Sequence, residues 1–81
     1  MNGVATAERE RWVIARPGIA FGRLQFLGWD RHGNSTWFND PGHGAWSYDR
    51  EFTKRELHRL TDPKALALSS LALQNLSGAS I

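Results

Sequence analysis

Hydrophobic positions change period once along the chain, near residue 52. Before it, apolar and aromatic residues come in short runs broken by Gly, Pro, Asn and Asp. Residues 11–16 and 24–29 are rich in strand formers. Pro17 and Gly18 stop the first run, and residues 19–22 are ambiguous. In the second run, two-residue alternation puts Leu24 and Phe26 on one face and Leu27 and Trp29 on the other. Residues 30–34 read as a hairpin turn, because Gly33 supplies the positive φ that a tight turn needs. Residues 35–38 return as a third strand, in which the neighbours Trp37 and Phe38 must point to opposite faces. Residues 39–42 predict a type II turn, with Pro41 presetting φ and Gly42 accepting a positive one. Residues 45–48 alternate small with aromatic and predict a fourth strand.

From residue 52 the pattern is helical. Thr53 can cap the amide of Glu56, whose side chain reaches back, while Phe52 and Leu57 hold the two positions of a hydrophobic staple. This helix runs to about Leu60, and Phe52, Leu57 and Leu60 dock it on the sheet. Asp62 followed by Pro63 is a second helix start, carried by Ala and Leu to Leu76 and stopped at Gly78. The predicted fold is α+β: a short antiparallel meander of about four strands, in outline an SH3-like half-barrel, followed by two C-terminal helices. Residues 1–10 read as a flexible arm and 11–81 as one small domain.

Composition narrows the class. In 81 residues, 41% hydrophobic and 22% charged positions exclude a disordered chain, a collagen repeat and a coiled coil. The chain has no cysteine, which excludes disulfides, thiolate zinc and a thiol nucleophile. It carries no secretory start and no apolar run near the ~20 residues of a membrane span, so a cytoplasmic protein without membrane contact is expected. The net charge of +2 is small for a partner of nucleic acid, and residues 65–81 hold no charge at all.

Candidate chemistry is sparse. No Gly-x-Ser-x-Gly elbow is present, and residues 41–44 lack the Lys-Ser/Thr of a phosphate loop. His32 and His43, with Asp30 and Asp40, fall in turns at opposite ends of the strand 35–38. That sets them roughly 15–20 Å apart, too far for one metal ion. No catalytic residue, metal or cofactor is therefore expected, and the aspartates should bond their own backbone.

Binding surfaces are better supported. Four tryptophans, four phenylalanines and one tyrosine either fill the core or anchor a partner. Trp29, Trp37 and Trp46, with Arg31 and Arg50, have the composition of an interface hot spot. On a helical wheel Leu66, Leu73 and Leu76 form one group and Leu68 and Leu71 another, so the last helix needs a second apolar surrounding. A second copy of the chain or a different protein, docked on Leu68 and Leu71, would supply it. Lys54, Arg55, His58 and Arg59 line the polar face of the first helix, as a solvated face or as a phosphate-binding stripe. The expected function is a small non-enzymatic module that engages another protein, an inhibitor or adaptor like the accessory proteins of phages and mobile elements. The alternatives are a nucleic-acid-binding module, using the basic helix face and the sheet aromatics, and a structural subunit of an assembly.

Overall fold

The computed structural model describes residues 10–18 and 23–80. Four strands, β1 (Trp12–Pro17), β2 (Leu24–Trp29), β3 (Ser35–Phe38) and β4 (Leu66–Ser69), form one sheet in the order β3-β2-β1-β4. Every pairing is antiparallel. Helix α1 (Arg50–Arg59) lies between β3 and β4 in the chain, and helix α2 (Ser70–Ser80) follows β4 directly. The fold is α+β with four antiparallel strands and two helices. Residues 1–9 of the expected arm, along with Phe21, lie outside the described residues.

The β2–β3 hairpin follows its local chemistry. Gly33 takes φ 83°. The Asp30 carboxylate accepts the amides of His32 (2.9 Å) and Asn34 (3.0 Å), closing the turn on itself. Register sets Phe26 opposite Phe38 and Leu27 opposite Trp37, which sends Trp37 and Phe38 to opposite faces.

Three segments depart from the sequence expectations. Residues 39–42 make no type II turn. Asp40 instead caps a short 3₁₀ turn, Pro41–His43, through a 2.9 Å bond from the Gly42 amide. Residues 45–48 form no strand. Continuing the β1–β2 register from Ala15↔Phe26 would set Trp12 opposite Trp29, but the two strands separate there. Trp12 exchanges both of its backbone bonds with Ser47, at 2.7 and 2.9 Å, and the Ala45 amide donates to the Leu27 carbonyl at 2.8 Å. Residues 45–47 are thus wedged between β1 and β2, satisfying backbone groups that the separation would leave unpaired. Gly28 lets this wedge approach, since a Cβ there would collide with the His43 carbonyl and come within 2.9 Å of the Phe38 ring.

The third departure concerns the helices. Helix α1 begins a turn earlier than expected, because Asp49 caps it through a 3.0 Å bond from the Phe52 amide. Thr53 is buried inside the helix, and its hydroxyl donates to the Asp49 carbonyl (3.0 Å). The expected helix over 62–76 divides in two. Asp62 closes one turn through the Lys64 amide (2.9 Å). Residues 66–69 then pair with the outer edge of β1, Val13 opposite Leu68. The edge of β1 offers backbone partners to a Leu-Ala-Leu-Ser alternation, and that pairing overrides the helix preference of Ala and Leu. Ser69 ends the strand and caps α2, its Oγ accepting the Ala72 amide at 3.0 Å. Helix α2 continues through Gly78 to Ser80.

The two helices cover opposite faces. On the inner face Val13, Ala15 and Phe26 form the core, closed by Leu24, Trp46, Leu68 and Leu73. On the outer face, α1 packs over β1 and β4. Among the described residues no helix packs over the outer side of β2 and β3, where Leu27, Trp29 and Trp37 lie.

Candidate functional site

Uncovered sheet and the adjoining flank of α1 form the candidate site. Trp29 sits at the end of β2, 52% exposed, and Phe52 sits in the first turn of α1, 44% exposed. The early start of α1 brings Phe52 there. With Asp49 as cap, Thr53 rather than Phe52 points into the sheet. Between the two aromatics lies a pocket of about 190 Å³ lined by Ile14, Leu27, Trp29, Phe52, Thr53 and Glu56, floored by the wedge residues 45–47. The lining is apolar apart from Glu56 and the hydroxyls of Ser47 and Thr53. Glu56 pairs with Arg59 across a long 3.5 Å contact, and the Arg59 end is largely in water.

The other tryptophans lie under arginines. Arg16 stacks on Trp37 at 4.2 Å, Arg11 on Trp46 at 4.6 Å and Arg50 on Trp12 at 5.2 Å. Arg55 lies over Phe52 at 5.9 Å. Such pairs occur roughly once per 70–80 residues in ordinary proteins, so four among the described residues mark an unusual use of arginine. Among the described residues no cation stacks on Trp29. The Arg16 pair is the most elaborate. Its guanidinium bonds Asp62 at 2.9 Å and Gln25 at 3.1 Å, and Gln25 in turn bonds Asn39 at 3.2 Å. The Asp62 carboxyl is held below its ordinary value, first by the Lys64 amide and then by Arg16.

The predicted binding residues are dispersed by the fold. Trp29 is at the surface. Trp37 is half-buried beneath Arg16. Trp46 packs its ring on the core and donates its indole N–H to the Pro41 carbonyl at 2.8 Å, so its ring does not join Trp29 on the open face. Arg31 is exposed in the hairpin turn, and Arg50 is spread over Trp12. Leu68 faces the core beside Val13, whereas Leu71 is 56% exposed, so the two share no surface. The wheel that grouped them does not apply, because residue 68 is in a strand. In the basic stripe, Arg55, His58 and Arg59 are exposed and Lys54 half-buried. Two of its cations are already engaged, Arg55 on Phe52 and Arg59 on Glu56.

His32 and His43 lie in the separate turns expected. His43 stacks on Phe38, ring centroids 5.3 Å apart, with Nδ1 3.4 Å from Asp40. Among the described residues, no three His, Asp or Glu gather as metal ligands would, and no helix is long and apolar enough to cross a membrane.

Phe52 and Glu56 were read from the sequence as helix-docking and capping residues, and their place in the pocket was missed. A signal existed in Asp49, which satisfies the same capping rule as Thr53 and turns α1 so that Phe52 faces outward. No protein-family model matches the chain, and neither curated proteins nor solved structures gave a match.

Proposed function

We propose that the chain is a small non-enzymatic binding module whose partner is another protein, engaged through the Trp29–Phe52 surface. It would act as an inhibitor or adaptor by occupying that partner. One observation carries this reading: two large exposed aromatics flank an apolar pocket on the part of the sheet that no helix among the described residues covers. An exposed Trp beside an apolar pocket, with Arg55 over the neighbouring Phe52, has the make-up of an interface hot spot. The basic stripe is the weaker support. The stripe offers about three phosphate contacts, which would give weak binding at physiological salt.

The test is affinity capture from nuclease-treated lysate with the native chain, with Trp29→Ala and with the double variant Arg55→Glu/Arg59→Glu. A protein retained by the native chain, kept by the double variant and lost with Trp29→Ala supports the reading. Capture that disappears on nuclease treatment, together with salt-sensitive binding of DNA or RNA lost in the double variant, replaces it with the nucleic-acid reading.

A further inference from the structure

The chain contains its own example of how it holds a guanidinium. On the outer face, the Arg16 guanidinium carbon lies over the Trp37 ring, 4.2 Å from its centroid, while the same guanidinium donates to the Asp62 carboxylate at 2.9 Å. A stacking surface and a carboxylate together satisfy both the face and the edge of a planar cation. The next strand position outward on the same face repeats the two protein elements. Trp29 follows Leu27, the residue opposite Trp37, by one alternation of β2. Trp29 lines the same pocket as the Glu56 carboxylate, and among the described residues no cation stacks on its ring. Among the described residues Glu56 pairs only with Arg59, at 3.5 Å and with the Arg59 end in water, a kind of pair worth little and easily exchanged.

From this arrangement we infer that the Trp29–Glu56 pocket binds an arginine side chain of the protein partner, its guanidinium stacked on Trp29 and paired with Glu56. The inference rests on the protein-binding reading of the same surface and names the chemistry it recognises. Size agrees: about 190 Å³ is below the roughly 300–1,000 Å³ of sites for whole small-molecule ligands, and suits one inserted side chain. The apolar lining from Ile14, Leu27 and Phe52 suits the methylene stem of arginine. Lysine fits less well, because its compact, strongly hydrated charge cannot stack and pair in one plane.

The probe is Nα-acetyl-arginine amide, titrated into the full chain while the four indole N–H signals are followed by NMR. Nα-acetyl-citrulline amide, planar and neutral, and Nα-acetyl-lysine amide are the comparison arms. The expected result is a saturable shift of the Trp29 signal with a dissociation constant of roughly 1–10 mM, what one stack and one ion pair support. Citrulline and lysine amides should bind about tenfold more weakly. Glu56→Gln should bring arginine down to the citrulline level, and Trp29→Ala should remove the response while the other three indoles hold their positions. Equal binding of citrulline, or shifts confined to Trp12, Trp37 and Trp46, would overturn the inference. So would a gain of about tenfold on Arg9→Ala, which would make the chain's own N-terminal segment the occupant. The two readings fail separately. A Trp29-dependent protein complex with no response to the arginine probe sinks the pocket chemistry alone. A specific arginine response with no Trp29-dependent protein capture sinks the partner reading alone.

Discussion

The sheet's two faces use similar residues for different ends. The inner face is closed from both directions in the chain, by Trp46 from the wedge and by Leu73 from α2, over Val13, Ala15 and Phe26. The outer face is only half covered, because α1 reaches β1 and β4 and stops. Aromatics on the closed face lose their surface to the core. Those on the open face are either roofed by an arginine, as Trp37 is, or left accessible, as Trp29 is. Where a helix docks, more than which residue is aromatic, decides whether a ring stabilises the fold or meets a partner.

The largest effects should therefore come from the closed face. Phe26→Ala should cost about 3–5 kcal/mol, the usual range for a buried Phe. Leu68→Glu should be at least as damaging, since it drives a carboxylate against Val13. A domain of this length has about 4–12 kcal/mol in all, so urea midpoints should collapse. Trp29→Ala, half-exposed, should cost well under half of the Phe26 value. Equal losses at Phe26 and Trp29 would abolish the distinction between the faces.

A smaller effect tests how α1 is placed. Asp49→Ala should cost about 1 kcal/mol, the ordinary value of a lost cap. The same experiment with Glu56→Gln should leave the midpoint nearly unmoved, because Glu56 makes no capping bond. A loss at Glu56 comparable to that at Asp49 would restore Thr53 as the cap, return Phe52 to the docked side and remove the pocket.

Much of this arrangement was legible beforehand. Alternation separated Trp37 from Phe38 and Leu24 from Leu27, and Asp30, Gly33 and Asp40 announced their turns. The rest was hidden for physical reasons. Asp49 and Thr53 both satisfy local capping rules, and only the fit of α1 on β1 chooses between them. Leu66 and Leu68 alternate like strand residues within a run of Ala and Leu that also suits a helix. The edge of β1 that decides the matter lies far away in the chain. The insertion of residues 45–47 between β1 and β2 has no local signal beyond the small residues Gly28, Gly44 and Ala45 that permit it. The pocket inherits all three uncertainties, because Phe52, Trp29 and the wedge meet only once each is resolved.

The roofed end of the open face is tested by pH. The Asp62 carboxyl is held below its ordinary 3.8 by the Lys64 amide and by Arg16. Its folded value lies below its unfolded one, so its contribution is fully present above the unfolded value and is lost as pH falls through the folded value. Stability of the native chain should thus decline more steeply below about pH 4 than that of Asp62→Asn, read from urea midpoints across that window. Coincident slopes would show that the Arg16–Asp62 roof over Trp37 contributes nothing.

The smallest expected effect is Leu71→Glu, and it separates folding from self-association. Leu71 is 56% exposed and stands in the first turn of α2, two positions after the Ser69 cap. Losing a half-exposed leucine should destabilise slightly. A carboxylate there faces the positive end of the helix dipole, which returns about 0.3–1 kcal/mol. The two terms are of similar size, so the midpoint should stay within about 0.5 kcal/mol of native, in contrast to the collapse at Leu68, three residues earlier. Light scattering on the same variant reads the remaining alternative, a second copy of the chain docked on the uncharged segment where Leu66, Leu71 and Leu76 are exposed. An unchanged mass leaves the Trp29 surface as the site of partner binding. A dimer that dissolves into folded monomers with Leu71→Glu would make the C-terminal segment a self-association surface in its own right, and the open face of the sheet would then have to serve the dimer rather than the single chain.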